Sequence, residues 1–344
     1  MAGGYGRVFM IIACLGETLT RFSPQHRRLL VQGGALELHV GGAETNVAIG
    51  LSSLGHMTRM IGMLPDNALG QIARATLRGA GVDCRHLGQG PGRMGLYFMT
   101  PGAGLRSSDI VYDRADSAFS RMGRDDIDWK SALHGATRLH LSGITPALGP
   151  RSAELAIAAV HAARDRGIPI SFDCNYREKL WKACNSQPRA ILHELVAAAD
   201  ILFGNHRDVA LLLDTSFSSD GAARRRDAAE AAFGAYPGLR LIASTARHAI
   251  DADRNSITAR IDGRDGHAET DAMRIAGIVD RIGAGDAFAV GVLHALAKDS
   301  GDLAGMARTG LALAALKHSI PGDASLFGEG DLDAFLSGER DVRR

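Results

Sequence analysis

The chain has 344 residues, 46% hydrophobic and 22% charged, so it is long enough for one large domain or two, and its composition excludes a disordered or fibrous protein. Its 39 Lys and Arg residues against 38 Asp and Glu residues leave a net charge of +1, which excludes a broad attraction to nucleic acids or acidic membranes. We therefore expect neither partner, and local arginines must bind any acidic ligand.

The cysteines and the early apolar run both bear on location. Cys14, Cys84, Cys174 and Cys184 have neither CxxC nor zinc-type spacing, which favours free thiols in a reducing compartment. The apolar run at residues 8–15 is too short for a transmembrane helix, which needs about 20 residues, and is predicted to be a strand. We expect a cytoplasmic protein.

Short apolar runs alternate with longer helical patterns along most of the chain. The predicted strands are residues 8–15, 59–63, 138–142, 168–173 and 201–204, and the predicted helices are residues 44–54, 71–79, 151–166 and 190–199. Strands alternating with helices imply βαβ units. The pattern predicts one doubly wound α/β domain over residues 6–338, with a mainly parallel sheet and helices on both faces.

Two stretches, residues 18–40 and 92–119, break this alternation. They have weak helical periodicity, and residues 36–40, 96–99 and 109–112 are typical of short strands. The turn residues at 101–104 would join two of these strands as a hairpin. We predict a small β lid beside the main sheet.

The sharpest local signal is the segment DRIGAGDAF at residues 280–288, which precedes an apolar helical pattern. Small residues allow close approach of an oxyanion, and a helix that starts there directs free N–H groups toward it. A carboxylate in that first turn, Asp286, would take the proton from an attacking hydroxyl. The alternative is an ordinary turn in which Asp286 only caps the helix. The chain contains neither a Walker A loop nor a G-x-G-x-x-G motif after a strand.

Two distant segments together resemble a known family. GGAETNVA at residues 41–48 and DRIGAGD at residues 280–286 are similar to the two signature regions of the ribokinase-like, or PfkB-type, sugar kinases. The resemblance continues through residues 62–70, 139–146 and 172–177, which is nearly the whole chain. It implies the ribokinase-like fold, ATP and Mg²⁺ as cofactors, and pairing of two copies through the lid.

Within the family, further segments resemble the 2-keto-3-deoxygluconate kinases. They are residues 16–17 with Arg21, residues 172–177 with 180–181, residues 243–247 and residues 317–323. This similarity implies a phosphotransferase with an alcohol acceptor, which transfers a phosphoryl group from ATP to the C6 hydroxyl of this sugar acid.

The resemblance also implies roles for particular residues. Those expected to bind the sugar are Gly42, Asn46, Tyr97, Tyr112, Arg114 and Arg177. Those expected at the phosphate are Gly283, Ala284 and Gly285 as the anion hole, with Asp286 as the base. Those expected to bind the nucleotide are Asn205, Ser244 and Arg247, together with the anion hole.

Arg177 would distinguish an acid from a neutral sugar, because arginine offers a rigid fork of donors for a carboxylate. The alternative is a surface arginine paired with Glu178 or with another nearby carboxylate. Tyr97 and Tyr112 would suit a sugar, or would only pack the lid.

The chain departs from the family pattern at two positions. Arg281 stands where many relatives have Thr, and Asp208 replaces the Glu of the Asn-x-x-Glu stretch that begins at Asn205. Asp208 is therefore a weak candidate for a metal ligand.

Three other interpretations remain open at this point. One is a related kinase acting on fructose or on the galacto epimer of the sugar acid. Another is a sugar-binding protein that has lost its chemistry. The third, an NAD-dependent oxidoreductase, lacks the dinucleotide fingerprint after Leu15.

Overall fold

The computed structural model describes residues 10–184, 187–218, 220–339 and 341–342. These residues form fourteen strands: β1 (Ile11–Leu15), β2 (Leu19–Pro24), β3 (Leu36–Gly41), β4 (Met57–Pro65), β5 (Asp83–Gly90), β6 (Gly95–Thr100), β7 (Asp109–Asp113), β8 (Arg138–Ser142), β9 (Ile170–Asp173), β10 (Ile201–Phe203), β11 (Leu241–Ala249), β12 (Arg254–Gly263), β13 (His267–Glu269) and β14 (Met273–Ala276).

The same described ranges contain eleven α-helices: α1 (Ala43–Ser53), α2 (Ala68–Gly79), α3 (Trp129–Ala132), α4 (Pro150–Arg164), α5 (Glu178–Ala183), α6 (Pro188–Ala197), α7 (His206–Leu213), α8 (Gly221–Ala235), α9 (Ala284–Lys298), α10 (Leu303–Lys317) and α11 (Glu329–Leu336). None of these helices has both the length and the apolar character needed to cross a membrane. The four cysteines are free thiols, as predicted.

A mixed, mostly parallel sheet forms the centre of the fold. Across the described ranges it has ten strands, in the order β13-β12-β11-β10-β9-β8-β1-β4-β5, with β14 also paired to β12. In this spatial order, the seven strands β5, β4, β1, β8, β9, β10 and β11 are parallel to one another. At the other edge, β12 pairs antiparallel with β11, β13 and β14. The chain winds from β1 toward β5 and then returns to the other side at β8, which is the predicted doubly wound arrangement. Ligands bind such sheets at the carboxyl ends of the strands, near this switch in direction.

Helices cover both faces of this sheet, so its strands are apolar on both sides. In β1, Ile12 and Cys14 pack into one core with α1, α9 and α10, while Ala13 and Leu15 pack into the opposite core with α4 and α6. This alternation follows from the two-residue period of a strand.

Four strands form a second, small sheet in the order β3-β2-β6-β7. Its strands lie within or beside the two stretches predicted as a lid, and β6 and β7 form the predicted hairpin, with Tyr97 opposite Tyr112. The parallel pairing of β2 with β6 joins the two stretches. We call this four-strand unit the small sheet.

Several boundaries differ from the sequence predictions. The first strand begins at Ile11, and residues 6–9 of the predicted domain, including Val8 and Phe9, lie outside the described residues. The strands β2, β5 and β11 and the antiparallel strands β12, β13 and β14 were not predicted from the sequence. Long-range pairing rather than a local pattern stabilises these strands.

Candidate active site

A pocket of about 590 Å³ lies at the carboxyl ends of the parallel strands, between the start of α9 and the small sheet. Every residue predicted for the site lines this one pocket: Gly42, Asn46, Tyr97, Tyr112, Arg114, Arg177, Asn205, Asp208, Ser244, Arg247, Gly283, Ala284, Gly285 and Asp286. Asn46 and Asp286 among them are 240 positions apart in sequence, yet all of these residues line one continuous surface.

The turn before α9 has the geometry of an anion-binding site. Gly283 is the N-cap of the helix with φ of 77°, a left-handed conformation that favours glycine. A Cβ atom at this position would lie 1.6 Å from the backbone oxygen of Asp323. The N–H of Ala284 makes a long turn bond of 3.3 Å to Arg281, and the first-turn N–H groups and positive helix end favour an anion beside Gly283–Gly285.

Asp286 lies in the first turn of α9 and is not the cap, because the N-cap is Gly283. Its Oδ2 atom accepts a hydrogen bond of 2.6 Å from Nδ2 of Asn46 in α1. Burial raises the pKa of Asp286 to about 7, and the charges of Glu44 and Asp323 act in the same direction, while the Asn46 hydrogen bond opposes them. A half-buried carboxyl group that titrates near neutral pH is suited to general base chemistry.

Two further carboxyl groups share this part of the pocket. Asp173, the last residue of β9, has a pKa raised to about 8 by burial and by the charges of Asp286 and Asp208. Burial also raises the pKa of Asp208, whose Oδ2 accepts the Asn205 N–H at 2.8 Å. The sequence analysis missed Asp173, although its place at the end of a predicted strand was a signal.

Arg177 is exposed at the pocket and is not paired with Glu178. Its Nη1 donates to the backbone oxygen of Tyr176 at 3.3 Å, while Glu178 pairs with Lys182 at 2.6 Å. Within the described part of the chain, no carboxylate lies within ion-pair distance of Arg177. The guanidinium is therefore available to an acidic ligand.

The small sheet contributes Tyr97, Tyr112 and Arg114 to the pocket. The Nε and Nη2 atoms of buried Arg114 both donate to Oε2 of buried Glu17, so the opposite edge of the guanidinium is the part that a ligand can reach. Tyr97 donates its hydroxyl hydrogen to Asp323, and Tyr112 is 45% exposed, with its ring centroid 5.7 Å from that of Tyr97. The sequence analysis did not identify Glu17 or Asp323 as site residues.

The other end of the pocket is basic. Ser244 and Arg247 lie on β11, and Arg281 lines the same wall. Burial and the nearby charge of Arg281 lower the pKa of Arg247. Asn205 caps α7 by accepting the Arg207 N–H at 2.9 Å. Two neighbouring cations, Arg247 and Arg281, favour a polyanion at this end.

No cluster of three or more His, Cys, Asp or Glu side chains that could hold a metal ion occurs among the residues that the structure describes. Asp208 lines the pocket but already accepts a backbone hydrogen bond. This donor set fits a magnesium ion that arrives with phosphate oxygens and waters better than a dedicated protein cage.

Known proteins share the sequence pattern and the fold of this chain. The family model "pfkB family carbohydrate kinase" matches residues 11–326. The 2-dehydro-3-deoxygalactonokinase of Haloferax volcanii is 29% identical over 331 residues, covering 95% of this chain and 96% of that protein. The crystal structure of 2-dehydro-3-deoxygluconokinase from Thermotoga maritima has a TM-score of 0.90 and 32% identity, covering 96% of this chain and 99% of that one.

A more distant structure shows the fold alone. The fructokinase of Xylella fastidiosa, solved with bound ATP, has a TM-score of 0.78 and 19% identity, covering 96% of this chain and 98% of that one. The family match spans most of the chain, and the fold is shared throughout. The chain therefore belongs to the pfkB family of carbohydrate kinases, which are phosphotransferases acting on an alcohol group.

Proposed function

We propose that the protein transfers the γ-phosphoryl group of ATP to the C6 hydroxyl of 2-keto-3-deoxygluconate, giving the 6-phosphate of that sugar acid. The observation that carries this proposal is that Arg177, which pairs with no carboxylate among the described residues, lines the same pocket as Asp286 and the anion-binding turn at Gly283–Gly285. The pocket thus offers a cation for a sugar carboxylate together with a base and an oxyanion site. The names of the Thermotoga maritima and Haloferax volcanii relatives support a keto-deoxy sugar acid.

In this proposal the sugar acid lies between the small sheet and α1. Gly42 and Asn46 of the α1 start contact its hydroxyl groups, together with Tyr97, Tyr112 and the outer edge of Arg114. Arg177 binds the carboxylate, because a guanidinium forms two parallel hydrogen bonds with a carboxylate. Asn46 also binds the base, so it aligns the base with the substrate.

The proposed chemical step is an in-line displacement. Asp286 accepts the proton of the C6 hydroxyl while that oxygen forms a bond to the γ-phosphorus, and the bond from phosphorus to the bridging oxygen of ADP breaks. The amides beside Gly283, Ala284 and Gly285 stabilise the charge on the transferred phosphoryl oxygens. ADP leaves with the electron pair of the broken bond.

The proposed nucleotide side uses Asn205, Ser244 and Arg247. Magnesium, when bound with ATP, would neutralise charge on the phosphate oxygens, and the carboxylate of Asp208, which lines the pocket, would offer it an oxygen ligand. Closure of the small sheet over the sugar would exclude water as a competing acceptor.

The test is an ATP-to-ADP coupled assay with magnesium on 2-keto-3-deoxygluconate, its galacto epimer, fructose, ribose and gluconate. Turnover confined to the keto-deoxy acids supports the proposal. Turnover of fructose or ribose instead would retain the family and overturn the proposed substrate.

A second candidate is the galacto epimer, 2-keto-3-deoxygalactonate. The observation that favours it is the 29% identity with the Haloferax volcanii 2-dehydro-3-deoxygalactonokinase over 95% of this chain. The ratio of kcat/KM for the two epimers in the same assay decides between them, because the epimers differ at one hydroxyl.

A further inference from the structure

Arg21, in the middle of β2, is a cation with only 1% of its surface exposed. Burying a guanidinium is costly unless carboxylates pair with it. Its Nη2 donates to Oδ2 of Asp280 at 2.6 Å, and its Nη1 lies 3.1 Å from Oδ1 of Asp323. One side chain of the small sheet therefore bridges two carboxylates that belong to the main domain.

Asp280 holds the turn that leads into α9. Its Oδ1 accepts the N–H of Ile282 at 2.9 Å, and its Oδ2 accepts the N–H of Gly322 at 3.2 Å. The carboxylate that Arg21 binds is thus the one that fixes the residue directly before Gly283. A change at Arg21 would be transmitted to the anion-binding turn through this carboxylate.

Asp323 contacts both the small sheet and the anion-binding turn. Its side chain accepts the hydroxyl hydrogen of Tyr97, which lies opposite Arg21 in the β2–β6 pairing. Its backbone oxygen packs so closely against Gly283 that only glycine fits there. Arg21 and Asp323 therefore connect a proposed sugar-binding side chain to the anion-binding turn.

A second buried basic side chain lies beside this cluster. Lys317, which has no exposed surface, lies with Nζ 3.2 Å from the Ile320 backbone oxygen and 3.5 Å from that of Asp280. Burial lowers the pKa of Lys317, so Arg21 is the cation that pairs directly with both carboxylates. Loss of Arg21 would remove this positive charge from beside the turn that is proposed to bind a phosphate.

We propose that Arg21 is a positioning residue for phosphoryl transfer, which keeps the anion-binding turn aligned with the sugar-binding strand by bridging Asp280 and Asp323. It contacts neither substrate and acts through these two carboxylates. The inference rests on the proposed use of this pocket, but it does not depend on which sugar is the substrate. Misplacement of reacting groups by about 1 Å can reduce turnover by about a hundredfold.

The first variant is Arg21→Met, which removes the charge while keeping the length of the side chain. We expect kcat per folded molecule to fall by about tenfold to a hundredfold, with a smaller rise in the Kd of ATP and of sugar. The assay uses whichever sugar the wild type phosphorylates, and near-ultraviolet circular dichroism measures the folded fraction. Unchanged kcat, or a loss confined to the Kd values, would overturn the proposal.

Arg59→Met is the matched control. Arg59 is also buried, with Nε 3.2 Å from Asp83 and Nη1 2.7 Å from the Ala132 backbone oxygen, but it does not line the pocket. This variant should melt at a lower temperature while keeping its kcat per folded molecule. An equal kcat loss in both variants would mean that any buried arginine has this effect, which contradicts a positioning role for Arg21.

Two further variants keep the proposal testable if Arg21→Met does not fold. Arg21→Lys retains the charge but cannot bridge both carboxylates, so we expect an intermediate kcat. Arg21→Lys and Asp280→Asn form a double-mutant cycle. The double variant should lose less kcat than the product of the two single losses. Losses that multiply would show that Arg21 and Asp280 act independently, and the proposal would be wrong. Failure of the proposed substrate would appear separately, as turnover of a different sugar by the wild type.

Discussion

Asn46 donates a hydrogen bond of 2.6 Å to the carboxylate of Asp286, which joins the start of α1 to the start of α9 across 240 residues of sequence. The two glycine-containing segments at residues 41–48 and 280–286 therefore meet through this contact. The hydrogen bond favours the ionised form of Asp286, whereas burial disfavours it. The balance holds the pKa of this carboxyl group at about 7.

Turnover should depend on pH through this balance. A base with a pKa of about 7 is protonated below that pH, so kcat/KM should fall by about tenfold per pH unit on the acid side. Asn46→Ala removes a hydrogen bond to the charged form, which should raise the Asp286 pKa and move the acid limb upward by about one pH unit. The measurement is the pH profile of kcat/KM for both proteins.

Asn67→Ala is the control for that shift. Asn67 caps α2 by accepting the N–H groups of Leu69 and Gly70 at 3.0 and 3.1 Å, and it does not line the pocket. Its loss should cost about 1 kcal/mol of stability and leave the pH profile in place. An acid limb of Asn46→Ala that stays fixed or moves downward would contradict the assigned role of the hydrogen bond.

The raised pKa of Asp286 also predicts a trade-off with stability. The folded-state pKa of about 7 exceeds the ordinary value of 3.8, so the folded state holds the proton more tightly, and this group disfavours folding increasingly as pH rises from about 4 to about 7. Asp286→Asn should therefore raise the free energy of unfolding at pH 8 by about 1–3 kcal/mol, below the full value because the side chain reaches the pocket solvent. The gain should shrink toward pH 5.

Denaturant unfolding of the wild type and Asp286→Asn at both pH values checks this prediction. A variant that is no more stable than the wild type at pH 8 would show that the ionised form of Asp286 is not disfavoured in the folded state.

Substitution by alanine should reduce stability at one glycine of the anion-binding turn and have little effect at another. Gly283→Ala forces a left-handed residue to carry a Cβ atom 1.6 Å from the Asp323 oxygen, so we expect at least about 2 kcal/mol of destabilisation. Apart from adjacent residues and the backbone of α9, no heavy atom of the described residues lies within 4 Å of a Cβ atom built on Gly285, so Gly285→Ala should fold normally. Thermal melting of both variants provides the comparison, and similar melting temperatures would contradict the packing described for Gly283.

Arg177 should discriminate between acidic and neutral sugars. Arg177→Met should raise KM for a sugar acid by about tenfold or more, because a hydrogen bond to a charged group contributes about 1.5–3 kcal/mol. The Kd of ATP and any turnover of neutral sugars should change little. Arg189→Met is a suitable control, since Arg189 pairs with Asp214 at 2.8 Å outside the pocket. An unchanged KM for the acid would remove Arg177 from the proposed carboxylate site.

The parts of the structure that follow from local patterns could be predicted from the sequence. The strand at residues 138–142 has the bounds that its apolar run predicts, and the helical pattern at residues 44–54 corresponds to α1 (Ala43–Ser53). The hairpin of β6 and β7 was predicted from the turn residues at 101–104, although its connection extends over residues 101–108. These features depend on neighbours in the chain, which the sequence displays directly.

The parts that depend on distant partners could not be predicted in this way. Arg21 and Asp280 are 259 positions apart, and no local property of Arg21 indicates that it is buried and bridges two carboxylates. Likewise, the pKa of Asp173 depends on Asp286 and Asp208, which are near only in the folded protein. The resemblance of residues 16–17 and Arg21 to a subgroup of the family was the available signal for the buried network.

We propose that Asp286 activates a hydroxyl of a keto-deoxy sugar acid in this pocket. The decisive measurement is the steady-state rate of ADP formation from 2-keto-3-deoxygluconate and ATP, for the wild type and Asp286→Asn, with the ATP affinity of both proteins measured by calorimetry. We predict turnover by the wild type, a loss of at least about a hundredfold in kcat for the variant, and similar ATP affinity. Comparable kcat values for the two proteins, or no turnover of this sugar acid by the wild type, would contradict the account.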